Sequence, residues 1–153
     1  MNVLSARSVF LALLLVTSVT TMADTSSIAV RASVRGSCVI TSADDVDFGT
    51  LETGDVTSHE ATANVQYWCS NGLSYTLALD DGLHAGGPGQ PAMKRTTGVE
   101  KIPYSVTITP TSGIGLGPTP SQTAVVKATI EKDHAQAASV GDYEDTLTVT
   151  LEP

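Results

Sequence analysis

The sequence has no apolar run long enough to cross a bilayer, few positive charges and almost no cysteine. The apolar stretch nearest to a span, "VFLALLLV" (Val9 to Val16), is eight residues long, against the roughly 20 that a spanning helix needs. No membrane insertion is expected. With Arg7 ahead of it and the small-residue site "TMA" (Thr21 to Ala23) behind it, the run reads as the core of a signal peptide, residues 1–23. The mature chain is then expected to start at Asp24, and export removes a single charge, Arg7. Eight Lys and Arg face sixteen Asp and Glu, so the net charge moves from −8 to −9. Such a surface repels nucleic acid and anionic lipid, and no basic cluster offsets it.

Cysteine occurs twice, at Cys38 and Cys69, with no CxxC spacing and no neighbouring His, which sets metal ligation aside. An even pair in an exported chain reads as one disulfide. Closing a loop of about 30 residues, it contributes roughly 3.5 kcal/mol in the loop-entropy account.

Catalytic constellations are missing as well. His59, His84 and His134 are scattered, with no HxH or HExxH spacing and no nucleophile motif to pair with them. They read as exposed histidines. The acidic runs "DDVD" (Asp44 to Asp47) and "LDDG" (Leu79 to Gly82) read as turns and strand ends, since neither supplies the six or so ordered oxygen ligands of a calcium loop. The glycine-rich stretches lack the helix and the Lys-Ser/Thr of a phosphate loop. No catalytic, cofactor-binding or metal residues are assigned, and the chain is not expected to be an enzyme.

What is present is alternation. Val65, Tyr67 and Cys69 share one face of "NVQYWC", and Leu73, Tyr75, Leu77 and Leu79 share one face of "LSYTLALDDG". The dipeptide Asn71–Gly72 between them predicts a tight connection. "KIPYSVTITP" (Lys101 to Pro110) reads as one strand alternating Ile102, Tyr104, Val106 and Ile108. "TAVVKATIEK" is a further strand, and "DYEDTLTVTLEP" carries Leu147, Val149 and Leu151 on one face. "GLHAGGPGQP" and "TPTSGIGLGPTPS" read as surface loops, and only "EKDHAQAAS" offers a short helical turn. Many short strands, turn signals and a single bridge predict an all-β, immunoglobulin-like sandwich of one domain, residues 37–153.

The segment ahead of that domain, residues 24–36, also alternates. In "SSIAVRASVRG", Ile28, Val30, Ala32 and Val34 take turns with Ala29, Arg31, Ser33 and Arg35. Burying three β-branched side chains is worth roughly 5–9 kcal/mol before ordering costs, and a disordered tail does not normally carry such a stripe. The pattern fits a further strand of the same domain and a strand meant for another molecule equally well.

The ordered blocks "SCVITSADDVDFGTL", "VQYWCSNGLSYTLALDDG", "PYSVTI" and "GDYEDTLTVTL" resemble the spore coat protein U family, which includes major subunits of archaic chaperone–usher pili. Where that family usually carries a Trp-Gly element, this chain has "GIGLGP". The resemblance implies a sandwich lacking its last strand, completed by the N-terminal strand of a neighbouring subunit. Ile28, Val30, Ala32 and Val34 are then the side chains entering the groove. The chain closes on "TLTVTLEP", which leaves, on this expectation, no later strand to fill that groove. Implied partners are identical or related pilin subunits, a periplasmic chaperone and an outer-membrane usher. The implied location is a cell-surface fimbria serving adhesion or biofilm formation. A self-completed secreted sandwich that binds a surface ligand, as a binding module or adhesin, is the alternative.

Overall fold

A computed structural model describes residues 22–153; the expected signal peptide lies, except for its last two residues, outside the described residues. Two compact units are separated between Ser33 and Val34. In the first, residues 22–33 are exposed and adopt no regular structure.

The second unit is built from antiparallel strands. They are β1 (Cys38–Ala43), β2 (His59–Cys69), β3 (Ser74–Leu79), β4 (Ala92–Arg95), β5 (Lys101–Pro103), β6 (Ser105–Thr109), β7 (Ser112–Ile114), β8 (Gln122–Ile130), β9 (Tyr143–Glu144) and β10 (Val149–Glu152). A one-and-a-half-turn helix, α1 (Lys132–Ala137), follows β8. One sheet runs β1-β2-β8-β6 and a second β10-β3-β7; a small third sheet, β5-β4-β9, sits beside them.

Alternation decides which faces meet. Ala63, Val65, Tyr67 and Cys69 of β2 and Ala124 and Val126 of β8 point inward from the first sheet. Tyr75 and Leu77 of β3 answer from the second. The rings of Tyr67 and Tyr75 cross edge to face, 5.2 Å between centroids, and their hydroxyls hydrogen-bond at 2.7 Å. A buried polar pair is thereby satisfied at the centre of the sandwich. Burial, and then the bond to Tyr75, pushes the Tyr67 hydroxyl above the ordinary tyrosine range. Ile102, Tyr104, Ala128, Ile130 and Ala135 form an adjoining core under α1. Cys38 and Cys69 are bonded and stand opposite each other in the β1–β2 register, so the bridge ties an edge strand to the central one.

Three elements differ from the sequence expectation. The run Lys101 to Pro110 is two strands: β5 pairs with β4, and β6 with β8. The inward face is kept across the switch, with Ile102 2%, Tyr104 8% and Ile108 7% exposed. The change of partner falls beside Pro103, which has no N–H to give a ladder. The stretch read as a loop around "GIGLGP" contains β7, paired to β3. It packs close because Gly113 lies against the Tyr75 ring and Gly115 against the carbonyls of Cys69 and Ser70, where any side chain would collide. Asn71–Gly72 is indeed a tight turn, with Gly72 at φ +78. It joins strands of opposite sheets, however, and closes no hairpin.

Candidate strand-binding groove

Among the described residues, β1 pairs with β2 alone and β10 with β3 alone. These two edge strands belong to opposite sheets and run near each other, with Cα atoms within 8 Å where they are nearest. Each presents unpaired N–H and C=O groups on its free side, the arrangement that templates strand addition.

Burial shows that this edge of the sandwich is open. Inward positions at the centre of the sandwich are closed to solvent: Val65 and Tyr67 are 1% exposed, Leu77 3%, Val126 4%. From β9 through to β10 the same alternation holds, yet Tyr143, Leu147, Val149 and Leu151 all remain half-buried. Ile40 on β1, and Val46 and Phe48 beyond it, are half-buried too. Between them runs a groove of about 430 Å³, floored by Val65, Leu79, Tyr104, Val126 and Ala128 and flanked by Ala43–Val46 and Leu147–Val149. Past Phe48, Met93 and Tyr143 it meets a second chamber of about 500 Å³ that reaches Ile102, Ala135 and Ala138. Such cavities have the size of a ligand pocket, with an apolar floor between polar lips, and the free strand edges beside them suit an extended chain.

β1 reaches the groove through a bulge. Its register shifts between Ile40 and Ser42, where the Thr41 hydroxyl donates to the Gln66 carbonyl at 3.1 Å. Such a bulge bends an edge strand and sharpens its twist. The opposite lip is anchored by carboxylates. The Thr148 N–H donates to Asp80 Oδ1 at 2.8 Å and the Gly82 N–H at 3.1 Å. The backbone bond from Thr148, foremost, holds the Asp80 carboxyl below the usual range. Asp145, its side chain only 4% exposed, accepts from the Tyr104 hydroxyl at 2.8 Å and the His84 N–H at 3.0 Å. The His84 Nδ1 lies 3.2 Å away. Burial first, then the bond to Asp145, pushes the Tyr104 hydroxyl upward.

Asp145→Ala leaves the hydroxyl of buried Tyr104 and the N–H of half-buried His84 without their acceptor, each costing about 1–3 kcal/mol. The full chain is therefore expected to lose about 2–4 kcal/mol in urea unfolding, and Tyr104→Phe no more than about 1.5 kcal/mol. Equal losses would show that Asp145 does not organise this lip.

The residues assigned from sequence fall as follows. Ile28, Val30 and Val34 are 88%, 91% and 93% exposed, and Ala32 is exposed. None of the four lies in a strand. Of the histidines, His134 is exposed. His59 and His84 are half-buried against Asp55 and Asp145, which corrects their reading as surface groups. Among the described residues no three His, Cys, Asp or Glu side chains are grouped to hold a metal ion. The role of Asp145 was not read from the sequence, because its partners lie 41 and 61 residues away.

The family model for the Spore Coat Protein U domain matches residues 24–150. The chain belongs to that family. The Spore Coat Protein U domain model thus takes in the leading segment as well as the sandwich. A solved structure with the same fold is a chain of the chaperone–tip adhesion subunit pre-assembly complex from the archaic chaperone–usher Csu pili of Acinetobacter baumannii. The TM-score is 0.54 at 24% identity, over 78% of this chain. This Spore Coat Protein U domain protein spans 40% of the length of that chain. No curated protein sequence matches it.

Proposed function

We propose that this protein is a structural subunit of a chaperone–usher pilus, in which residues 24–36 of one copy enter the groove of the next as a strand. The observation that carries the reading is the burial contrast: Val65 and Tyr67 of β2, Tyr75 and Leu77 of β3 and Ala124 and Val126 of β8 are closed off, whereas the inward side chains flanking the β1–β10 gap are half-open. An added strand satisfies both free edges and covers Leu147, Val149 and Ile40 at once. Ile28, Val30, Ala32 and Val34 supply the period-two apolar face that such a strand needs. Membership of the Spore Coat Protein U domain family and the fold shared with a chain of a chaperone–subunit complex support the same reading.

Before joining, the open edge is an aggregation hazard, so a periplasmic chaperone holds it until an outer-membrane usher directs the exchange. The product is a surface fibre that serves adhesion or biofilm formation. Electron microscopy of cells with and without this chain tests the assignment. Fibres present with it and absent without it are expected, and unchanged fibres would refute it.

A further inference from the structure

Charge is segregated along this chain. Residues 24–36 carry Arg31 and Arg35 against a single carboxylate at their start, Asp24, whereas residues 37–153 carry fifteen carboxylates against five Lys and Arg. The excess gathers along the groove. Asp44 and Asp45 stand on the β1 side, Asp47 and Glu52 beside the second chamber, and Asp142 and Glu144 on the opposite lip. Among the described residues, no Lys or Arg lines either chamber. Lys94 stands across from Glu144 in the β4–β9 register, and Arg95 is engaged by Glu100 and the Val140 carbonyl. Asp44, Asp45, Asp47 and Asp142 form no salt bridge among the described residues.

Building on the proposed function, we infer that the acidic lips select and orient a basic strand, and that the occupant they fit is the Arg-bearing extension of a second copy. When Ile28, Val30, Ala32 and Val34 face the floor, period two turns Arg31 and Arg35 away from it. Four residues separate the two guanidinium groups by about 13 Å along a strand. Their long stems fold back toward carboxylates on either side while the charge stays wet. Exposed pairs of this kind add little to the final affinity. Their field instead raises the rate of encounter and disfavours an acidic segment in the same place. The apolar stripe holds the strand, and the charges choose it.

The test follows joining of the full-length chain by light scattering in 20 mM and 500 mM NaCl as assay conditions of about those strengths. Wild type is expected to join about tenfold faster at the lower salt, as steered association does. Arg31→Glu with Arg35→Glu slows joining about tenfold at low salt and inverts the salt dependence, because like charges then face each other and salt screens their repulsion. Adding Asp44→Lys and Asp45→Lys to that variant restores the rate, since opposite signs face each other again. All four positions are exposed, so these changes spare the core. Joining of the Arg31→Glu, Arg35→Glu chain at the wild-type rate, or failure of the reversed lip to restore it, overturns the inference. Val30→Asp is the control that separates the two claims. If it joins normally, strand insertion itself is wrong; if it fails to join while the charge variants behave as wild type, only the electrostatic selection is wrong.

Discussion

Removal of residues 25–36 is expected to abolish joining between copies without damaging the domain that receives the strand. Residues 34–153 form a compact unit of their own; the deletion takes only Val34, Arg35 and Gly36 from it, ahead of β1, and leaves the bridge between Cys38 and Cys69 in place. What is lost is the apolar stripe, three β-branched residues and Ala32, worth roughly 5–9 kcal/mol of burial before ordering costs. Size analysis of the exported protein should show wild type as a ladder of strand-linked polymers. The shortened chain should show none, and it should stay soluble only when a partner protein or an added peptide of residues 25–36 covers the groove. A shortened chain that purifies as a monomer as stable as the parent, with nothing added, contradicts the donor role. So does a ladder that persists.

Val30→Asp is expected to prevent joining almost as completely as the deletion, whereas Arg31→Ala leaves the joined fraction near wild type. The two residues are adjacent in the chain but take opposite faces of a strand. At Val30 the change removes about 1.5–3 kcal/mol of burial and sets a carboxylate against an apolar floor, a placement costing several kcal/mol more. A loss of about 4 kcal/mol lowers the joining equilibrium about a thousandfold. At Arg31 the change removes an exposed charge pair worth at most about 1 kcal/mol. The comparison is made on the fraction joined at equilibrium in moderate salt, where the rate effect of the arginines does not enter. Equal effects from the two substitutions would mean that Val30 and Arg31 are assigned to the wrong faces.

Most of the sandwich was legible because each strand carries its own period. Val65, Tyr67 and Cys69, or Tyr75 and Leu77, alternate so strictly that the buried face follows from spacing alone. Pairing partners were less legible. Ile102, Tyr104, Val106 and Ile108 keep one face across a change of sheet, and nothing in the alternation marks the switch except Pro103. β7 was hidden because Gly113 contributes no side chain to a pattern; its strand character comes from pairing with β3, where Gly113 stands opposite Tyr75 and leaves room for the ring.

The groove was the least legible part. Leu147, Val149 and Leu151 look in sequence like any buried strand face. Only the topology shows that β10 has, among the described residues, a neighbour on one side alone, so that the side chains along this edge stay half-open. The Asp145 contacts were hidden for a similar reason: His84 and Tyr104 reach it from distant segments that the fold alone brings together. Conversely, the stripe at Ile28, Val30, Ala32 and Val34 is plain in sequence and forms no strand within the isolated chain.

Cryo-electron microscopy of the assembled fibre at side-chain resolution bears most directly on this account. It should reveal a strand lying between β1 and β10 of each copy, traceable to residues 25–36 of the adjacent copy, with Ile28, Val30, Ala32 and Val34 turned toward Val65 and Val126. A groove occupied by the same copy's own extension, or left unoccupied within the fibre, would contradict it.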